Sequence, residues 1–343
     1  MTNTLYLTSM QRRWRRFQAN PRGYYSLWIF GFLFILSLFA EFWSNDKPIL
    51  IYYQGHYYFP LFQVYPETTF GGDFETEADY HDQFIQTQLA PPASWVWYPL
   101  NPYSYDTINY DNAKPNPAPP SKDNWLGTDD RGRDVFARLI YGFRLSVLFG
   151  LALTFVGMVI GIIAGAVQGY FGGKIDLFSQ RFIEIWGSMP ELYLLIIFAS
   201  IFQPSVFLLL LLLALFAWMG LADYVRAEFL RGRNLDYVKA AHALGVPNLT
   251  IMWRHLLPNA MTPVITFLPF RISSSILALT SLDFLGLGLP PSSPSLGELL
   301  AQGKANITAW WLSLSTFIVL VATLTLLIFI GEALREAMDS RRG

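Results

Sequence analysis

Residues 145–167 read LSVLFGLALTFVGMVIGIIAGAV and carry no charge. A helix of about 20 apolar residues crosses the roughly 30 Å hydrocarbon layer of a bilayer, whereas apolar runs in buried soluble helices usually end by about 14. This stretch therefore predicts a membrane span. Working outward, the same character recurs at 24–43, 184–203, 205–222, 263–282 and 310–330. Gln203-Pro204-Ser205 links the third and fourth spans, and Trp310-Trp311 opens the sixth at an interface position. The expected fold is an all-α polytopic membrane protein of about six transmembrane helices, with one large extracytoplasmic insert between the first and second.

Composition agrees. The chain is 53% hydrophobic and 14% charged, against about 25% charged in average soluble proteins. A net charge of −1 supplies no basic field for nucleic acid. The absence of cysteine excludes thiol chemistry, disulfides and cysteine–zinc sites. Near the N-terminus, Arg12, Arg13, Arg15, Arg16 and Arg22 precede an apolar run that exits through Ala40-Glu41-Phe42-Trp43. A secretory signal has a shorter apolar region and small residues at its exit, so an uncleaved first span is expected.

Six spans place both termini on one side. That side carries five Lys/Arg in tail 1–23, two at 168–183, five at 223–262 and three after the last span, fifteen of twenty-four in all. The other side has seven in the long loop 44–144, plus Lys304. Long loops count little in the positive-inside rule, so both termini are expected to be cytoplasmic.

Gly157, Gly161, Gly165, Gly169 and Gly173 recur every four residues as one stripe along the second span. Small residues let membrane helices approach closely. Two readings are open, internal helix packing and a pore-lining or moving interface. Arg271 sits about 10 Å inside the fifth span. Either it snorkels to the headgroups or it meets a substrate carboxylate in the passage.

In the insert, Ile49–Tyr53 and His56–Phe62 flank Gln54-Gly55 as a β-hairpin. Glu67, Asp73, Glu75, Glu77, Asp79 and Asp82 read as a solvated acidic face, and His56 and His81 lack metal-ligand spacing. Pro115–Pro120 reads as a stiff spacer before Trp125-Leu-Gly-Thr-Asp-Asp-Arg-Gly-Arg-Asp134. Thr128 or Asp129 is a candidate cap for the preceding turn. Val135, Leu139 and Phe143, with Arg133, Arg138 and Arg144 between them, predict a short amphipathic helix along the interface.

The loop 223–262 is the most informative. Asn234 is the expected N-cap of a short helix, with Asp236 in its first turn and Gly245 at its end. Pro247 starts a second short helix that Pro258 is expected to stop. A helix of about ten residues is marginal alone and needs something to dock against. A helix–glycine–helix knuckle suits the reception of force from a soluble partner; an ordinary amphipathic loop is the alternative.

Lys239-Ala240-Ala241, Gly245 and His255-Leu256-Leu257-Pro258 stand at the spacing of the EAA signature of ABC-importer permeases, which this loop resembles. Leu126-Gly-Thr-Asp129, Gly132-Arg-Asp134, Gly169-Tyr-Phe-Gly-Gly173 and Phe284-Leu-Gly-Leu-Gly288 are similar to the dipeptide and oligopeptide (OppC/DppC-like) branch. The long insert and Pro294-Ser-Leu-Gly-Glu-Leu299 most resemble its YejE-type peptide permeases. One departure is Lys239, which stands where the signature has glutamate, with Asp236 the nearest acid.

The resemblance implies a type I ABC importer permease in the bacterial inner membrane, carrying peptides or peptide-like compounds. The implied partners are a second homologous permease subunit, cytoplasmic ABC ATPase subunits and a periplasmic substrate-binding protein. It implies no catalytic, cofactor or metal residue on this chain, with ATP and Mg used by the partner ATPase. The chain has no G-x-x-x-x-G-K-[ST] phosphate loop. Asp236, Lys239, Ala240, Ala241, Gly245, His255, Leu257 and Pro258 are the expected ATPase contacts. Arg271, Gly157, Gly161 and Gly165 are candidates for the translocation path. Gly127, Asp129, Arg133 and Asp134 are candidates for binding-protein or gate contacts. The rival reading is an ion-coupled secondary transporter, but the internal repeats and buried acids usual there are not found.

Overall fold

In a computed structural model, residues 9–92, 94–110 and 114–339 are described. Arg341 and Arg342, counted above in the C-terminal tail, lie outside them. The helices and strands run, in order, α1 (Ser9–Ala19), α2 (Pro21–Leu38), α3 (Ala40–Trp43), β1 (Leu50–Tyr53), β2 (His56–Tyr58), α4 (Gln83–Gln88), β3 (Trp95–Trp97) and α5 (Val135–Phe171). There follow α6 (Gly173–Gly187), α7 (Glu191–Ile201), α8 (Val206–Ala217), α9 (Met219–Gly232), α10 (Asp236–Ala243), α11 (Asn248–Thr250), α12 (Leu257–Phe284), α13 (Leu296–Ala305) and α14 (Trp310–Met338). The chain divides into two compact units, one holding 146–290 with both terminal segments, the other holding 32–145 and 291–320.

Among the described residues, four helical stretches are long and apolar enough to cross a membrane: Val135–Phe171, Val206–Gly232, Asn248–Phe284 and Trp310–Met338. They contain the predicted second, fourth, fifth and sixth spans. The third is not one helix. It is the pair α6 and α7, bent by 65°. Pro190 explains the break, because proline lacks an N–H and keeps the residue before it out of the α region. The first predicted span, 24–43, is helical as α2 followed by the short α3.

In the first unit, Gly157, Gly161, Gly165 and Gly169 are buried against the segment from Ala217, the last residue of α8, to Phe229 of α9. A Cβ on Gly161 would stand 2.8 Å from the Trp218 carbonyl oxygen, and one on Gly165 would stand 2.4 Å from that of Ala222. At these positions the stripe packs against the chain's own α8 and α9. Gly173 lies off the stripe, after the turn at Gly172. Gly165→Leu is expected to destabilise by about 1–3 kcal/mol or more through overpacking. A lowered melting temperature of the detergent-extracted protein would register it.

In the second unit, β2-β1-β3 form a three-stranded antiparallel sheet. The hairpin was legible. Gln54 and Gly55 have φ of 48° and 82°, the two left-handed residues of a tight hairpin turn. Ile51, Phe70, Tyr80 and Ile85 build a small core beneath it. Asp82 accepts from Phe84 and Ile85 N–H and caps α4, while Glu77 pairs with Lys47.

Two expectations fail here. Pro115–Pro120 is no free spacer: the Ala118 N–H donates to Thr128 Oγ1, and the Ala118 carbonyl accepts from Thr128 N–H. The segment is stitched to the loop that follows it because its backbone groups find partners there. The interfacial helix is also absent as a separate element. α5 runs unbroken for 37 residues, about 55 Å, from Val135. Its first turns are buried, with Val135 and Arg138 fully enclosed.

Candidate functional site

The loop 233–259 is built from the inside out. Val238 and Ala241 of α10 are buried with Ile251, Met252 and Leu256, against Leu221, Val225 and Phe229 of α9. α10 ends in a Schellman motif. The Gly245 N–H bonds the His242 carbonyl at 3.0 Å, and the Val246 N–H bonds that of Ala241 at 3.1 Å. Gly245 has φ +77°, which L side chains rarely adopt. Asn234 is not the N-cap. Leu235 takes that place without a side-chain bond, and Asn234 Nδ2 instead donates to the Leu230 carbonyl. Lys239 Nζ lies 3.8 Å from Asp236 Oδ1 on the open face of α10, an exposed pair worth little.

Pro258 does not stop the second arm. Asn248–Phe284 continues as one helical stretch. Ile251–Leu256 form a π turn in which the Leu257 N–H bonds the Met252 carbonyl, five residues back. The extra residue in this turn is the kind of adjustment that accommodates a proline inside a helix. The knuckle therefore continues directly into the predicted fifth span. Its inner face is welded to α9. Its outer face presents Tyr237, Ala240, Leu244, Leu249 and Trp253, with Leu244 83% exposed. His255 and Leu257 are half-buried, and Pro258 is exposed.

The second site lies at the start of α5. Asp129 accepts from the backbone N–H groups of Arg131 and Arg133, organising the turn after it rather than before it. Arg133 Nε donates to Asp129 Oδ2 at 2.7 Å, and Arg133 Nη1 to the Pro291 carbonyl at 2.6 Å. Arg138 Nη2 meets Glu298 Oε2 at 2.5 Å and the Ser293 carbonyl at 2.9 Å. Two arginines and two carboxylates thus clamp 291–298 to the head of α5. Asp134 caps α5 through the Ala137 N–H and accepts from Asn101 and Asn124. Burial pushes its pKa up, while these donors pull it down. Gly127 (φ +75°) has no room for a Cβ, which would stand 2.6 Å from the Ala118 carbonyl. Arg138 and Glu298 were not singled out as a pair by sequence. The available signal was Ser295-x-x-Glu298, the pattern of a helix N-terminal box, and Ser295 Oγ does accept from the Glu298 N–H.

Arg271 meets Ala217, the residue against which Gly157 packs. Its Nη1 donates to the Ala217 carbonyl at 2.7 Å, at the junction of α8 and α9. Its side chain also lines a cavity of about 550 Å³.

Residues 157–343 match the family model of the binding-protein-dependent transport system inner membrane component. Residues 8–60 match the N-terminal TM domain of oligopeptide transport permease C. The chain is 54% identical over 332 residues to the inner membrane ABC transporter permease protein YejE of Escherichia coli (strain K12), covering 97% of each. It is 52% identical to the peptidoglycan transport system permease protein YejE of Agrobacterium fabrum, covering 97% of this chain and 93% of that one. A chain of the inward-facing MetNI methionine ABC transporter superposes with a TM-score of 0.50 at 19% identity, covering 60% of this chain and 97% of that one. The apolar helices, the knuckle and these matches agree: the chain belongs to the family of binding-protein-dependent transport inner membrane components, the multi-pass permease subunits of ABC transporters.

Proposed function

We propose that the chain is a non-catalytic translocation subunit of an ATP-driven importer of peptides or peptide-like compounds. It pairs with a second, homologous permease. ATP and Mg are handled by cytoplasmic ATPase subunits, and a periplasmic binding protein delivers the substrate. Both termini are cytoplasmic. Relatives named for peptidoglycan and oligopeptide transport support the substrate class.

The observation that carries this reading is the two-faced knuckle. A short helix with its inner face locked to α9 and its outer face, where Tyr237 and Leu244 stand beside Asp236 and Lys239, uncovered is suited to accept a push from a soluble partner. The continuous helix Asn248–Phe284 then carries the displacement into the bundle as a rigid unit. Asp236, Lys239, Ala240 and Gly245 form the receiving edge.

The test is uptake of a labelled tripeptide by the complete complex in proteoliposomes. Uptake is expected only with ATP, Mg and the binding protein together. Uptake driven by an ion gradient without ATP would favour a secondary transporter instead. Leu244→Asp, at an exposed position, is expected to leave the fold intact. It should weaken co-purification of the ATPase about tenfold or more, by placing an uncompensated charge in an apolar contact.

A further inference from the structure

We infer that the cavity beside Arg271 is a two-pole site for the ends of a peptide, with Arg271 taking the carboxylate and Glu191 taking the terminal ammonium. This rests on the peptide reading above. The cavity is lined by Glu191 and Arg271 with Leu153, Met189, Met219 and Ser275 among its other residues. Its volume of about 550 Å³ falls in the range of about 300–1,000 Å³ that small ligands occupy.

Two breaks in the helices make the site. The bend between α6 and α7 brings Glu191, the first residue of α7, to the cavity. The junction of α8 and α9 supplies the Ala217 carbonyl that holds one nitrogen of Arg271. A guanidinium has five N–H donors, so this anchor leaves others for a ligand. Leu153 lies near the middle of the charge-free run 145–167, so the cavity is well inside the span. Charges at such depth are expensive and mark substrate pathways. Here both signs face one space, and among the described residues no ion pair joins Glu191 to a cation.

A zwitterion supplies the missing charge at each pole. An importer indifferent to side chains must hold what all peptides share, which is a terminal ammonium, a terminal carboxylate and the backbone between. Met189 and Met219 suit the varying side chains, because thioethers are flexible and polarizable and pack against many shapes.

The chain's lack of cysteine permits a direct test. Ser275→Cys in the complete importer gives this subunit a single thiol on the cavity wall. A free-ended tripeptide under turnover is expected to slow alkylation of that thiol about tenfold. Its N-acetyl and C-amide derivatives, supplied at saturating binding protein, are expected to protect several-fold less. Adding Glu191→Gln should abolish the difference between the free and N-acetyl peptides, and Arg271→Gln that between the free and C-amide peptides. Equal protection by all three peptides, or uptake with no protection, would overturn the site while leaving the peptide importer standing. No uptake of any peptide by the wild-type complex would overturn both. The comparison of peptides needs only Ser275→Cys, so it remains decisive even if Arg271→Gln fails to fold.

Discussion

Replacing Arg138 by methionine is expected to destabilise the protein by about 3–5 kcal/mol, enough to remove most of it from detergent extracts as folded material. Arg138 is fully enclosed, and its guanidinium is the partner of Glu298 at 2.5 Å, with Asp129 Oδ2 at 3.6 Å. It also bonds the carbonyls of Tyr105 and Ser293. Methionine matches much of its length but none of its donors. Asp129 retains Arg133, whereas Glu298 loses its shorter ion pair. The cost is that of a carboxylate left with only its longer pair to Arg133, and of the Tyr105 and Ser293 carbonyls left without the Arg138 donors. Adding Glu298→Gln should therefore recover a substantial part of the loss. Thermal unfolding of the single and double variants measures the coupling. Additive effects of the two changes would show that the clamp does not act as a unit.

Gly245→Pro is expected to abolish transport while sparing membrane insertion. Proline fixes φ near −65°, and Gly245 sits at +77°. Proline also has no N–H for the His242 carbonyl, so the motif that ends α10 cannot form. The hydrophobic spans contribute nothing to that turn and should be unaffected. Gly245→Ala is the graded control. No atom lies within 4 Å of the position a Cβ would take, so only the left-handed backbone is penalised, by about 1–2 kcal/mol. Peptide uptake and binding-protein-stimulated ATP hydrolysis in reconstituted complexes measure both. Full stimulation with proline at 245 would remove the knuckle from the coupling role.

Much of this protein was already decided by local pattern. Charge-free stretches such as 145–167 place no charged side chain in lipid, so they predict spans from composition alone. The Gln54-Gly55 turn and the glycine at 245 were legible because positive φ is a property of one residue and its neighbours. The family blocks at 126–134, 239–258 and 284–288 were legible as spacing.

Tertiary structure decided what depends on partners distant in sequence. Gly157, Gly161 and Gly165 are spaced alike for a pore and for a packed seam, and their close contacts with Ala217, Trp218 and Ala222 come only from the tertiary fold. Pro258 predicts a helix end locally, yet the π turn before it and the packing of Ile251 and Leu256 hold the helix through. Arg133 and Arg138 have the spacing of an interfacial helix. Their burial follows from Glu298 and the carbonyls of Pro291 and Ser293, more than 150 residues further along. Charge, turn and periodicity are local, whereas the compensation of a buried charge is made by whatever the fold brings beside it.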